Sequence, residues 1–204
     1  MSRSRYIIER MNVHTHRPLH TAGFAHPRNN VAALAIEPGM IVADFGAGSG
    51  AYTLGMAEAL GNSGRVYAVD VQKDLLRRIH TEAHKRGLDA VIEFIWGDLE
   101  APGGSKIADG ILDLVLVSNL LFQVPDKAAI FREARRVLKL TGRLAVIEWS
   151  GSFGGMGPQR EDVVTKDAVL ALAQSASFTL TREFEAGAHH YGLLLHPVHV
   201  VQKT

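Results

Sequence analysis

Residues 40–60 carry an apolar, partly β-branched run, Met40-Ile41-Val42-Ala43-Asp44-Phe45, then Gly46-Ala47-Gly48-Ser49-Gly50, then a helix-patterned stretch beginning at Ala51 and stopped by Gly61. Three alternate glycines where a strand turns into a helix let the backbone bend through conformations that side chains resist. They also let a ligand approach without meeting a Cβ. The open NH groups at the helix start face the same ligand. A strand, turn and helix in this order is the first half of a βαβ unit, which needs a parallel neighbour strand and a helix-covered sheet.

The sequence that follows repeats this alternation. Strand-like runs at 65–71, 91–96, 112–118 and 143–149 are interleaved with helical patterns at 74–86, ended by Gly87, and at 127–139, which Asp126 is placed to cap. The 112–118 run is nearly all aliphatic, as suits a strand buried on both faces. Residues 97–110 are rich in Gly, Pro and Asp and read as a loop; 151–158 read as a second loop, before a helix at 165–176. Two last runs, 178–184 and 191–201, are joined by a short polar connection suited to an antiparallel hairpin. The expectation is an α/β, Rossmann-like three-layer sandwich with a seven-stranded, mostly parallel sheet and an antiparallel C-terminal strand. The domain spans 36–204, and residues 1–35 form an N-terminal appendage outside the pattern.

Composition narrows the chemistry. The chain has no cysteine, which excludes disulfides, thiolate metal sites and cysteine nucleophiles together. Its net charge of +1, with no basic stripe or aromatic platform, gives no reason to expect a nucleic-acid partner. The longest apolar stretch, 111–124, is broken by Asp113, Ser118, Asn119 and Gln123 and is too short to span a bilayer. Stable membrane insertion is therefore not expected, and the protein is expected to be cytoplasmic. Adjacent His189 and His190 point to opposite sides of an extended segment, and His14, His16, His20 and His26 match no helical metal motif, so no metal is expected.

Asp44 separates two ligand classes. Gly46, Gly48 and Ala51, with Asp70 ending the second strand, partly fit a dinucleotide fingerprint, which points to an NAD-dependent oxidoreductase. A carboxylate two residues before the first glycine repels a pyrophosphate, however, and suits a ligand that carries an ammonium and a sulfonium. The stretch Glu37-Pro38-Gly39-Met40-Ile41-Val42-Ala43-Asp44-Phe45-Gly46-Ala47-Gly48-Ser49-Gly50 resembles the first motif of class I S-adenosylmethionine-dependent methyltransferases, especially the branch similar to menaquinone and ubiquinone C-methyltransferases. Further likenesses are Val66-Tyr67-Ala68-Val69-Asp70, Gly97-Asp98-Leu99-Glu100, the strand at 112–119, and Leu138-Lys139-Leu140-Thr141-Gly142-Arg143-Leu144. Two turns depart from the family pattern: Leu140-Thr141 stands where Pro-Gly is usual, and Ser177 where a glycine often precedes the sixth strand.

The resemblance implies S-adenosyl-L-methionine as cofactor and a small-molecule acceptor. By the same likeness Asp44, Gly46, Ala47, Gly48, Ser49 and Gly50 hold the methionine end, and Asp70, with Val71 beside it, the ribose hydroxyls. Asp98 accepts from the adenine amino group, with Gly97 and Leu99 beside the ring, while Ser118 and Asn119 face the methionine and the reacting methyl. Methyl transfer is an in-line displacement in which alignment and exclusion of water supply much of the catalysis. If the acceptor must lose a proton, Glu148 at the end of the fifth strand is the candidate base, and His190 or Tyr191 a candidate acceptor contact. A noncatalytic S-adenosylmethionine-binding regulator is the remaining alternative, because one fold hosts many functions. The appendage, with Tyr6, Ile7, Ile8, Met11, Val13, Leu19 and Phe24 to bury, is expected either to close over the carboxyl edge of the sheet as a lid, residues 24–30 nearest the cofactor, or to pack on a helix as an arm.

Overall fold

The computed structural model describes residues 25–198 apart from Gly155. Its elements in chain order are α1 (Pro27–Ala33), β1 (Ile41–Phe45), α2 (Ala51–Leu60), β2 (Arg65–Asp70), α3 (Lys73–Arg86), β3 (Ile92–Trp96), β4 (Leu112–Ser118), α4 (Lys127–Val137), β5 (Leu138–Trp149), α5 (Lys166–Ser175), β6 (Phe178–Glu185) and β7 (His190–Pro197). They build a seven-stranded sheet in the order β3-β2-β1-β4-β5-β7-β6, parallel except for β7, which runs antiparallel to both of its neighbours. The strand order reverses between β1 and β4, and in open α/β sheets the carboxyl ends at such a reversal are where ligands bind.

Alternation along the strands explains the three layers. Val42, Ala68, Leu116 and Ile147 pack under α1, α2 and α3 with Leu34, Met56 and Ile79. Phe45, Val69, Val117 and Val146 face the opposite way, against Ile130 and Phe131 of α4 and Val169 of α5. In β4, Leu112, Leu114, Val115, Leu116 and Val117 are all buried, because that strand lies between two covered faces. The Asp126 carboxylate accepts from the Ala129 NH at 3.0 Å and caps α4 as its sequence position predicts.

The boundary between α4 and β5 differs from the expectation. The helix stops at Val137, and the 138–142 stretch, expected as the helix end and a turn, is already strand: Leu138 pairs with Leu112, and Lys139 reaches Asp113 at 2.7 Å. Without the Pro-Gly turn usual at Leu140-Thr141, nothing removes a backbone NH from the ladder, and the strand continues. A short 3₁₀ turn at Leu121–Gln123, between β4 and α4, is a second feature beyond the sequence pattern.

Of the appendage, residues 1–24 lie outside the described residues, and with them most of the segment expected as a lid. The part described is α1, which rests on α2 where Gly55 leaves room: a Cβ there would stand 3.3 Å from Val31 Cγ2. Buried Asn30 donates from Nδ2 to Tyr52 Oη at 2.8 Å and to the Ala186 carbonyl at 3.0 Å, tying α1 to the start of α2 and to the β6–β7 turn. Arg143 and Arg182 hold the carbonyls of Ala35 and Ala33. Residues 25–35 thus pack on α2 and reach the β6–β7 turn at the carboxyl edge of the sheet. Among the described residues no helix is long and apolar enough to cross a membrane.

Candidate functional site

The glycine loop lies at the strand-order reversal, and its glycines have different reasons to be there. All three are left-handed, with φ of +77° at Gly46, +53° at Gly48 and +81° at Gly50. A Cβ on Gly46 would sit 2.9 Å from Leu120 Cδ1, and one on Gly50 would sit 2.7 Å from Ile79 Cγ1, so these two permit close packing. A Cβ on Gly48 would meet nothing nearer than the Gly46 carbonyl at 3.7 Å, so there is space beside its Cα, while its NH is taken by Asp70. The NH groups of Gly46 and Ala47 both donate to the Val69 carbonyl, fastening the loop to β2. Ser49 is the exposed turn residue between them.

Two buried carboxylates flank this loop. Asp44, 2% exposed, accepts from Thr53 Oγ1 at 2.6 Å. Burial pushes its carboxyl up to about 6, against the Thr53 hydrogen bond, and the like charge of Asp70 raises it further. Asp70 accepts from the Gly48 NH at 2.9 Å through Oδ2 and from the Gln72 NH at 2.8 Å through Oδ1; burial raises its carboxyl too, and those NH groups oppose the shift. The result is a cradle of negative potential with backbone on one side.

Next to β1, β4 ends on strained backbone. Asn119 has φ of +53°, a conformation costing on the order of 1–3 kcal/mol outside glycine, and it is held by its NH to the Ile147 carbonyl and by Gln123 Nε2 to its own carbonyl. Asn119 Oδ1 is buried and has no hydrogen-bond partner among the described residues, and Ser118 Oγ, also buried, lies beside the Tyr52 hydroxyl. An unmet acceptor beside two carboxylates is an arrangement that suits a donor-rich cation.

The third wall comes after β2 and β3. The Gly97 NH donates to the Asp70 carbonyl at 3.2 Å, and a Cβ on Gly97 would stand 2.2 Å from the Gly104 carbonyl oxygen, so the loop folds tightly onto the end of β2. Leu99 is buried, Asp98 is exposed and accepts from the Glu100 NH at 3.0 Å, and Val71 is 46% exposed. Trp96 braces this edge by donating from Nε1 to the Val71 carbonyl at 3.0 Å.

Glu148 is not at an open strand end. It is 1% exposed, accepts from the Leu121 NH at 2.7 Å, and burial pushes its carboxyl up to about 8 in spite of the NH groups of Leu121, Leu120 and Trp149. Beside it Tyr191 donates to the Val164 carbonyl at 2.7 Å. The His190 ring packs on Trp149 and the His189 ring on Phe153, and these two partner rings lie 6.3 Å apart. Among the described residues no group of three His, Asp or Glu is placed to hold a metal ion. Sequence reasoning did not find Thr53, Tyr52 or Asn30. The first was within reach, since α2 starts at Ala51 directly above β1; the other two depend on how α1 docks.

The sequence pattern of the methyltransferase domain family matches residues 36–192. The chain is 34% identical over 126 residues to the ubiquinone/menaquinone biosynthesis C-methyltransferase of Xanthomonas campestris pv. campestris, covering 62% of this chain and 49% of that protein. It is 29% identical over 123 residues to the enzyme of the same name from Shewanella frigidimarina, covering 60% of this chain and 48% of that one. The match thus spans about half the length of these two relatives. Among solved structures, a SAM-dependent methyltransferase from Aquifex aeolicus superposes with a TM-score of 0.79 at 22% identity, over 96% of this chain and 98% of that one. The [4+2]-cyclase SpnF superposes with a TM-score of 0.70 at 16% identity, over 83% and 80% of the two chains. These likenesses establish the fold, and the second shows that the fold alone does not fix the reaction.

Proposed function

The chain belongs to the methyltransferase domain family, and from that premise we propose that it moves a methyl group from S-adenosylmethionine to a small-molecule acceptor. The observation that carries this reading is the pair of buried carboxylates, Asp44 and Asp70, beside the space at the Gly48 Cα. A pyrophosphate brought to that loop meets like charge, whereas an ammonium and a sulfonium meet the opposite one. Asp70 Oδ2 accepts from Gly48 and Oδ1 from Gln72, and its remaining acceptor capacity suits the hydroxyls of a ribose diol. Asn119 Oδ1 supplies an acceptor for an ammonium, and Asp98 with Leu99 and Val71 suits the amino group and faces of adenine. The relatives named above are C-methyltransferases, so carbon is the acceptor atom we favour.

When bound, S-adenosylmethionine supplies a methyl carbon on a cationic sulfur, to which the bonding electrons return as the acceptor's electron pair takes the carbon. The residues of this chain hold the partners in line and keep water out. Leu120 closes on Gly46, and Glu148 holds the turn that carries Leu120 through the Leu121 NH. A sealed position of that kind supports a positioning role for Glu148 rather than proton abstraction.

Calorimetry tests the ligand class. S-adenosylhomocysteine is expected to bind and NAD to show little or no heat; the reverse preference would return the site to dinucleotide chemistry. The affinity should also depend on pH through Asp44. The ligand's ammonium selects the ionised carboxylate, so its association constant falls by up to about tenfold per pH unit below about 6 and levels off above it. Asp44→Asn should flatten that profile, and a wild-type profile already flat between pH 5 and 7 would remove Asp44 from contact with the ligand's charge.

A further inference from the structure

Glu133 of α4 is a buried carboxylate that neither the cofactor cradle nor the Leu120 turn uses. Its Oε1 accepts from both the NH of Ser105, at 3.0 Å, and the Ser105 hydroxyl. Arg136, one turn further along α4, closes on both carboxylate oxygens, from Nε to Oε2 at 3.0 Å and from Nη2 to Oε1 at 2.6 Å. That guanidinium and the Ser105 donors hold the carboxyl below its usual range in spite of burial. Arg136 reaches on to the Ile107 carbonyl at 2.8 Å, to the Asp109 carboxylate, and to Ser105 Oγ at 3.2 Å. A buried ion pair adds little net stability over apolar side chains of the same size, so its effect is sought in what it fixes. Apart from the pair itself, these bonds run from α4 to one short stretch, residues 105–109.

That stretch is the return limb of the loop that leaves β3 at Gly97 and carries Asp98 and Leu99. The loop is folded back on itself. A Cβ on Gly104 would collide with the Asp98 carbonyl, so the two backbones lie in contact. The Ala101 NH donates to the Asp98 carbonyl at 3.1 Å, the Gly104 NH to the Ala101 carbonyl at 2.9 Å, and the Lys106 NH to the Gly103 carbonyl at 2.9 Å. Lys106 Nζ then grips the Trp96 carbonyl at 2.7 Å, at the end of β3. Ser105, fully buried, thus stands one residue from the glycine on which Asp98 rests and one from the lysine that closes the loop. Asp98 itself is exposed, and the place of its carboxylate follows from the backbone beneath it.

We infer that Glu133, with Arg136 and Ser105, is a positioning group for the adenine end of the cofactor: it clasps the Gly97–Lys106 loop to α4 and so sets where Asp98 meets the adenine amino group. The inference deepens the methyl-transfer reading and rests on it. A hydrogen bond weakens steeply with misalignment, so a carboxylate on a loop that slides loses its selectivity before the pocket loses its shape. The selectivity at stake is amino against oxo. An oxo group in the amino position sets acceptor against acceptor, and only a carboxylate held in place penalises it. The methionine end is held by the β1 loop and the end of β4, which the clasp does not touch.

The probes are S-adenosylhomocysteine and S-inosylhomocysteine, in which oxygen replaces the amino group, titrated by calorimetry. The wild-type protein should prefer the adenine compound by about tenfold or more, the size of one hydrogen bond to a charged group. Glu133→Gln keeps the shape and an acceptor for the Ser105 NH but removes the charge that holds Arg136. It should narrow the preference to about threefold or less, through weaker binding of S-adenosylhomocysteine. If Glu133→Gln fails to fold, Ser105→Ala serves, since it loosens the loop from α4 and leaves the ion pair in place. Thr165→Ala is the control for loss of stability alone: it removes the side chain that caps α5 by accepting from the Ala168 NH, and it should lower the melting temperature with the wild-type preference kept. A folded Glu133→Gln or Ser105→Ala protein with the wild-type preference overturns the inference, as does a Thr165→Ala protein that loses the preference equally. Wild type that binds neither compound overturns the cofactor reading, and wild type that binds both alike overturns the adenine contact of Asp98; the positioning role falls with either.

Discussion

Asp70→Ala is expected to lower the affinity for S-adenosylhomocysteine by roughly 10- to 100-fold, the equivalent of about 1.5–3 kcal/mol for hydrogen bonds to a charged group. Two effects act together. The ribose diol loses its acceptor, and the NH groups of Gly48 and Gln72 lose theirs, so the glycine loop is no longer fixed to the end of β2 from this side. Asp70→Asn separates the effects. It keeps one acceptor for the loop but offers an amide in place of the second oxygen, and its loss should be smaller. Calorimetry on variants with an unchanged melting temperature measures both. An Asp70→Ala protein that is folded and binds as tightly as wild type takes Asp70 out of the cofactor site.

Glu148 governs a second large effect, on stability rather than on binding. Its carboxyl stands at about 8 in the fold against 4.5 ordinarily, so folding favours the protonated form. A group raised in this way stabilises the fold fully below its unfolded value, and that contribution is lost as pH rises through the folded one. Between pH 5 and 8 the unliganded protein should lose stability by roughly 1 kcal/mol per pH unit, or about 2–4 °C in Tm per unit for a chain of this size. Glu148→Gln keeps the acceptor for the Leu121 NH and removes the ionisation. Its Tm should match wild type near pH 5, exceed it by several degrees near pH 9, and change little between; thermal melts across that range supply the readout. A variant that parallels the wild-type curve at every pH would mean that Glu148 is ionised in the fold. A positioning role further requires that cofactor affinity at pH 6 is kept.

What the sequence made legible divides along a physical line. The glycine loop, Asp70 and the aliphatic β4 are local patterns whose conformations follow from φ preferences and from burial of every side chain in a run. Placing Asp44 beside the glycine turn required only the order of residues. The end of α4 did not read correctly, because Val137 and Leu138 suit a helix face and a strand equally and the decision lies in the pairing of Leu138 with Leu112. Thr53 over Asp44 is a contact between consecutive elements and was open to inference. Trp149 against His190 was not, since it depends on the antiparallel register of β5 and β7, and a shift of one residue would turn His190 to the opposite face. The docking of Asn30 on Tyr52 and Ala186 depends likewise on segments far apart in the chain.

The place of β7 also sets a timetable for synthesis. It lies between β5 and β6 but is translated after both. While the ribosome adds the residues between Trp149 and Pro197, at roughly 5–20 residues per second, β5 waits for several seconds with the edge from Leu144 to Trp149 unpaired. β6, once made, has no neighbour to join until β7 follows it. Ala145, Val146 and Ile147 on that waiting edge are apolar, and an unpaired apolar strand is a template for other chains. The nascent protein is thus most exposed to aggregation late in translation, after β1 and β4 have formed and before the hairpin seals the sheet beside them.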